Sequence, residues 1–165
     1  MSKEEIILKA INGDKKVVKQ VIKLYSSQMY KLIFLHTKYE EDSKRILKDT
    51  IDFIRENISK LNDSDDFVLW LYKIIIINTN NFLDSLGMVS DEYLINKDYF
   101  KDNKINLYKA IDLLDYKYKN VVILRYYFDL SYEEIGKVVD LNEDTVKIYI
   151  RQSLKQIKAN IGGEL

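Results

Sequence analysis

Cysteine and proline are absent from this 165-residue chain, histidine occurs once, as His36, and there are only five glycines. The absence of cysteine excludes disulfides, iron–sulfur clusters, thiol nucleophiles and thiolate zinc sites, and a single imidazole is too few for a histidine metal site. The serines have no histidine nearby, and there is no glycine-rich phosphate loop. We therefore predict no catalytic residue, no metal, no cofactor and no enzymatic activity.

Long apolar runs are also missing. The longest, residues 67–77, is interrupted by Lys73 and falls well short of the roughly 20 residues of a membrane span. The N-terminus has acidic residues directly after its first lysine and no apolar core of signal length. These features predict a cytoplasmic protein with neither a membrane partner nor a small-molecule substrate.

A net charge is missing as well, because 26 basic residues balance 26 acidic ones. A protein that binds nucleic acid usually shows an excess of basic residues. The balance hides one local asymmetry, since residues 145–158 hold four cations and no acid, directly after Glu143 and Asp144. This charge order also stabilises a helix by itself, so it does not by itself indicate DNA binding.

Helical periodicity is present in nearly every segment, which predicts an all-α fold. Apolar faces predict one helix up to Asn12-Gly13, a second that Asp14 caps, and a third over about 28–37. An amphipathic stripe predicts a fourth helix, and it consists of Leu47, Ile51, Ile54, Ile58 and Leu61. Residues from about 65 to 86 are apolar on too many sides for a surface helix, so we expect a buried central helix there.

Residues 88–104 carry seven charges among scattered apolar positions, and we interpret them as a linker. The linker separates two predicted helical domains, residues 1–87 and residues 105–165. The second domain is predicted to contain helices at about 107–114 and 116–128, followed by a helix-turn-helix.

The helix-turn-helix is predicted from the stretch LSYEEIGKVVDLNEDTVKIYIRQSLKQIK, residues 130–158. Ser131 and Glu134 have the spacing of a capping box, Asp140 stands where a left-handed turn residue is needed, and Asn142 can cap the second helix. The inner face of that helix is predicted to be Val146, Ile150, Leu154 and Ile157. The outer face contains groups that can reach base edges and phosphates, together with Asp144: Thr145, Ile148, Arg151, Gln152 and Lys155, with Lys147 at the edge.

The amino-acid sequence of the C-terminal half resembles region four of bacterial sigma-70 family factors, especially the short extracytoplasmic-function group. The matching pieces are Leu114, Tyr118, Leu124-Arg125-Tyr126, Leu130 to Ile135 and Thr145-Val146-Lys147. The N-terminal half resembles region two, through Ala10, Gly13 and Asp14 and through the Trp70 to Ile74 segment.

The resemblance implies a sigma factor that binds RNA polymerase core and directs promoter recognition and transcription initiation. An anti-sigma protein is a further partner class that it leaves open. Region four would read the minus-thirty-five element through the outer face of the recognition helix. The minus-ten strand would be bound by Lys73, Asn78, Asn80 and Asn81. Core polymerase would be contacted by Ile46, Leu47, Lys48 and Asp49.

The chain departs from the family pattern at three sites. Cations stand at Arg45 and Lys48, where the core-binding helix usually has Asp and Gln, and Asp84 stands near positions that often carry arginines. In the recognition helix, Ile148-Tyr149 replaces the common Ser-Arg. These changes keep two alternatives open: a sigma-derived DNA-binding regulator that no longer binds core polymerase, and a protein-interaction module that does not use DNA.

Overall fold

The structure, a computed structural model, describes residues 1–64, 66–86 and 107–161, and all the regular secondary structure in these ranges is helical. The predicted all-α class is therefore confirmed. The chain divides into two compact units, Met1–Thr79 and Asn80–Leu165. The linker predicted at 88–104 lies outside the described residues.

The first unit begins with α1 (Lys3–Ile11), α2 (Lys15–Thr37) and α3 (Glu40–Asn57), followed by a short 3-10 helix, Ile58–Lys60, and α4 (Phe67–Ser85), which runs past the unit boundary. Local signals set the starts of α1 and α2. Ser2 and Glu5 form a capping box, and the Asp14 carboxylate accepts from two backbone N–H groups at the start of α2.

Helix α2 is continuous through the point where we predicted a new helix over residues 28–37, so that prediction is wrong. The Ser26 hydroxyl donates to the Lys23 carbonyl at 3.0 Å, which satisfies a polar side chain without a break in the helix. Buried Tyr25, Met29 and Leu32 form one apolar face that continues across the predicted break between the helices. Burial of that face outweighs the weak helix preference of two serines.

Helix α3 and the 3-10 helix after it bury Ile54 and Ile58 of the predicted stripe, but the rest of the buried row differs from the prediction. The Thr50 hydroxyl donates to the Ile46 carbonyl at 2.8 Å, and the Ser43 hydroxyl donates to the Tyr39 carbonyl at 2.6 Å. Small hydroxyl residues can therefore occupy core positions that a hydropathy pattern assigns to the surface. The buried row is Ser43, Ile46, Thr50, Ile54 and Ile58, while Leu47, Ile51 and Leu61 are half-buried at its side.

Helix α4 is buried on most of its sides, as the sequence predicted. Leu71 and Ile75 are fully buried, and Ile74 and Ile76 are nearly so. At its start, Phe67 meets the Tyr25 ring edge-on, with ring centroids 5.2 Å apart. Such contacts anchor α4 to α2 within the first unit.

The second unit contains α5 (Leu107–Asp112), α6 (Tyr116–Tyr126), α7 (Tyr132–Val139) and α8 (Glu143–Ile161). The helices predicted at 107–114 and 116–128 are present, and each ends two residues earlier. The core contains an ion pair that the sequence analysis missed. The Lys119 Nζ atom lies 3.0 Å from the Asp112 Oδ1 atom, and both side chains are only 1% exposed.

Candidate promoter-reading surface

Helix α7 begins with the predicted capping box. The Ser131 hydroxyl accepts from the Glu134 backbone N–H at 3.1 Å, and the Glu134 carboxylate accepts from the Ser131 backbone N–H at 2.7 Å. The helix ends at Val139, and the next residue, Asp140, has a left-handed φ of 56°. Both local predictions for the first helix of the motif are confirmed.

The turn between α7 and α8 brings the backbone of Gly136 close to that of Leu141. The Leu141 N–H donates to the Gly136 carbonyl at 3.0 Å, and a Cβ atom added at Gly136 would lie 2.4 Å from the Leu141 carbonyl oxygen. Only glycine fits this approach without a shift of the backbone. The Asn142 side chain then accepts from the Thr145 N–H at 2.8 Å, which confirms the predicted cap of α8.

The inner face of α8 differs from the prediction at one position. Val146, Ile150 and Ile157 are buried, but Leu154 is 46% exposed and Ser153 is fully buried. With 3.6 residues per turn, a residue seven places after Val146 lies roughly 20° from it around the helix, whereas one eight places on lies roughly 80° away. The inclusion of Leu154 is therefore wrong, and Ser153 takes its place.

The outer face of α8 is exposed to solvent, and we call it the reading face. Its central residue, Ile148, is 47% exposed. Arg151, Gln152 and Lys155 are exposed as well, and Thr145 is half-buried at the N-terminal end. One turn of helix thus presents a guanidinium, an amide and an aliphatic group, which can interact with guanine, with other base edges and with a thymine methyl.

Lys147, at the edge of the reading face, is held by neighbouring side chains. Its ammonium lies 2.7 Å from the Glu143 carboxylate and 5.8 Å from the centre of the Tyr132 ring. The hydrogen bond to Glu143 raises the pKa of Lys147 above its usual value. The Arg125 guanidinium lies 4.6 Å from the centre of the same ring. Two cations therefore share one aromatic ring where α6, α7 and α8 meet.

Gln152 is held as well, by a residue that the sequence analysis did not assign to the site. The Tyr118 hydroxyl, from α6, donates to the Gln152 Oε1 atom at 3.0 Å. The Tyr118 ring meets the Tyr149 ring edge-on, with centroids 5.2 Å apart. Tyr118 and Gln152 are 34 residues apart in the sequence, so helical periodicity could not predict this contact.

The four residues predicted for the minus-ten strand differ in their surroundings. The Asn78 amide donates to the Thr50 hydroxyl at 3.1 Å, which ties α4 to α3. Lys73 is half-buried in the first unit, whereas half-buried Asn80 and exposed Asn81 belong to the second. Asn78 is thus already engaged in the fold, and Asn81 has the most exposed side chain of the four.

The predicted core-polymerase contact lies on α3 and is only partly at the surface. Ile46 is 1% exposed and belongs to the core of the first unit. Leu47 is half-buried, and Lys48 and Asp49 are exposed. The exposed part of this segment therefore combines one cation, one anion and the edge of an apolar side chain.

Within residues 1–64, 66–86 and 107–161, no three His, Cys, Asp or Glu side chains are grouped so that they could hold a metal ion. None of the helices described is long and apolar enough to cross a membrane.

Two family models match the chain. The model for sigma-70, region 4, matches residues 104–157, which include the whole reading face. A model for a helix-turn-helix domain matches residues 4–56, a segment in which the sequence analysis did not predict that motif.

Three known proteins are similar over most of the chain. RNA polymerase sigma factor SigV of Bacillus subtilis is 27% identical over 148 residues, which cover 85% of this chain and 88% of SigV. The ECF RNA polymerase sigma factor SigW of the same organism is 20% identical over 174 residues, with 90% and 91% covered. Among solved structures, CnrH in complex with the cytosolic domain of CnrY matches with a TM-score of 0.74 and 15% identity, covering 98% of each chain.

Proposed function

The chain belongs to the sigma-70 family of RNA polymerase sigma factors, and from that membership we propose that it binds core polymerase and directs it to selected promoters. It resembles the short extracytoplasmic-function group of that family. It would act in the cytoplasm as a dissociable subunit that supplies DNA contacts and no catalytic group of its own. The reading face of α8 is the observation that carries the proposal, because exposed Ile148, Arg151 and Gln152 lie together within about one turn of the helix.

We propose that the reading face binds the minus-thirty-five element. Arg151 has the donor pair that suits guanine, and Ile148 is placed to meet a thymine methyl. Lys155 lies one turn beyond Arg151, where a phosphate contact would fix the register of the helix. Thr145 and Lys147 would contact the backbone near the start of α8. This region-four function is assigned to residues 105–165, after a linker at 88–104.

Two further contacts, with core polymerase and with the minus-ten strand, are assigned to residues 1–87. The exposed edge of α3, with Leu47, Lys48 and Asp49, would meet core polymerase, and Ile46 would support that edge from inside. The minus-ten strand would be contacted by Lys73 and Asn81, with Asn78 and Asn80 as neighbours. An anti-sigma protein is a further proposed partner, and the presence of the cytosolic domain of CnrY in the CnrH complex is what motivates it.

The test is co-elution of the purified chain with core polymerase, followed by run-off transcription on genomic DNA. We expect a stable complex and transcripts from a limited set of start sites. Absence of core binding at low salt would rule out the polymerase function. A footprint formed without polymerase would then identify the sigma-derived regulator, for which the exposed cations Arg45 and Lys48 on α3 are the motivating observation.

A charge-reversal variant separates DNA binding from core binding. Arg151→Glu with Lys155→Glu should abolish run-off transcription and leave co-elution with core polymerase intact. The matched control is Lys9→Glu with Lys23→Glu, which changes the net charge equally at exposed positions of α1 and α2. If both pairs reduce transcription alike, overall charge and not the reading face determines DNA binding.

A further inference from the structure

The Gln152 amide already has a protein partner on the reading face, and the contact in the structure gives the amide one orientation. A phenolic hydroxyl can donate to an amide oxygen or accept from an amide nitrogen, and the structure shows the first of these two arrangements. The Tyr118 hydroxyl donates to the Gln152 Oε1 atom at 3.0 Å. The oxygen end of the amide is therefore turned towards α6, and the Nε2 group keeps both its N–H donors for another partner.

Tyr118 is itself held in place by α8. Its ring lies edge-on to the Tyr149 ring, with an interplanar angle of 65°. The buried Ser153 hydroxyl donates to the Tyr149 carbonyl at 2.6 Å and lies 3.4 Å from the Tyr118 carbonyl oxygen, and the Lys117 ammonium lies 4.9 Å from the centre of the Tyr118 ring. The position of the Tyr118 hydroxyl is thus determined by packing within one unit before DNA arrives.

We propose that Tyr118 is a positioning residue for promoter reading, which holds the Gln152 amide with its nitrogen outward so that Gln152 reads a hydrogen-bond acceptor. This inference rests on the proposed function and refines the specificity of the same surface. In the major groove, guanine, adenine and thymine each present an acceptor, whereas cytosine presents the N4 donor. At the base that it touches, Gln152 is expected to select against cytosine.

The orientation depends on the hydroxyl and not on the ring. Without the hydroxyl, the amide of a glutamine can rotate and present either its oxygen or its nitrogen. Tyr118→Phe keeps the ring and its packing on Tyr149, so only the orientation of Gln152 should change. The variant should accept cytosine at the contacted position and bind non-specific DNA as before.

The experiment uses holoenzyme reconstituted from core polymerase and the full chain. The template is a promoter identified by run-off transcription, with its minus-thirty-five element randomised, and the transcripts are sequenced. Gln152→Ala identifies the contacted position, because the base preference there disappears. At that position, Tyr118→Phe should reduce the discrimination against cytosine by about fivefold, the ratio that one neutral hydrogen bond represents.

Two controls test whether the effect passes through Gln152. Tyr116→Phe removes a hydroxyl from a half-buried tyrosine on the same helix and should leave every preference unchanged. In the Gln152→Ala background, Tyr118→Phe should have no further effect on base preference. An additional effect of the same size in that background would show that Tyr118 acts by another route.

A second variant keeps the inference testable if Tyr118→Phe is poorly folded. In Gln152→Glu, one carboxylate oxygen can accept from Tyr118 while the other faces the DNA, so the preference should change to cytosine. An unchanged preference in both Gln152→Glu and a folded Tyr118→Phe would overturn the inference. If holoenzyme reconstituted with the wild-type chain gave no transcripts, that result would instead overturn the proposed function.

Discussion

The ion pair between Asp112 and Lys119 is a sensitive point in the stability of the second unit. The carboxylate of Asp112, at the end of α5, lies 3.0 Å from the ammonium of Lys119 in α6, and each side chain is 1% exposed. Asp112→Leu would leave the Lys119 charge buried without this carboxylate. Such a charge is strongly destabilising because water cannot replace the lost partner. We expect the free energy of unfolding to fall by about 3–5 kcal/mol.

A surface pair of similar geometry supplies the matched control. Lys137 and Glu133 are 3.1 Å apart on α7, with side chains 57% and 69% exposed. Glu133→Leu should lower the free energy of unfolding by less than about 1 kcal/mol, because solvent screens an exposed pair and hydrates the remaining charge. The two pairs have nearly the same distance, so the difference between the variants measures the effect of burial.

The double variant Asp112→Leu with Lys119→Met distinguishes a costly buried charge from a favourable pair. It replaces both charges with apolar groups of similar size, so neither charge of the pair remains in the core. We expect its stability to lie within about 1 kcal/mol of the wild-type value or above it. The two single substitutions should therefore be far from additive.

The assay is urea unfolding of the full chain, followed by far-ultraviolet circular dichroism. Trp70, the single tryptophan, lies in the first unit, and its fluorescence reports that unit separately. With a slope of about 1–3 kcal/mol/M, the Asp112→Leu midpoint should fall by more than about 1 M. A fall no larger than that of the surface control, or additive effects in the double variant, would refute the reasoning.

Three further predictions follow from the second unit and the tyrosines. Glu143→Gln removes the nearer of the two carboxylate partners of Lys147, which lie at 2.7 Å and 4.0 Å, and one negative charge near the reading face. It should therefore tighten promoter binding and steepen its salt dependence by about one unit of log–log slope, whereas Glu133→Gln should not. Ser153→Leu should destabilise the chain by about 1–3 kcal/mol through overpacking, and Leu154→Ser by less than about 1 kcal/mol, in the same urea assay. Burial raises the pKa of three tyrosines above the usual value of 10. The stability that their neutral forms provide is therefore present below pH 10 and is lost as the pH rises through the raised pKa values. In a titration followed by phenolate absorbance, these three tyrosines should ionise later than the exposed ones. The three with raised pKa values are Tyr25, Tyr72 and Tyr127.

Features that depend on neighbouring residues could be predicted from the sequence. The capping box of Ser131, the left-handed Asp140 and the Asn142 cap each involve groups within three or four residues of one another. Their chemistry is decided by the local chain, whatever packs around it. Most helix positions and the exposed outer face of α8 followed from helical periodicity, although the separate helix predicted over 28–37 is part of α2.

Features that depend on packing between helices could not be predicted. Periodicity assigns Lys119 to no particular environment, and its partner Asp112 is on another helix. Thr50 occupies a core position because a carbonyl of its own helix accepts its hydroxyl, at 2.8 Å, which removes the usual penalty for burying it. In both cases the polarity of the residue type suggested the surface, and a specific partner reversed that preference.

Ser153 occupies the inner position that was predicted for Leu154, and it connects the packing of α8 to the chemistry of the reading face. The Ser153 hydroxyl lies 3.4 Å from the Tyr118 carbonyl oxygen, so a small side chain at this position lets α8 approach α6 closely. Gln152 is the residue next to Ser153, and that approach brings it within reach of the Tyr118 hydroxyl. A leucine at the inner position would hold the helices farther apart and separate the two groups. The small side chain of Ser153 therefore permits the close approach on which the hydrogen bond between Tyr118 and Gln152 depends.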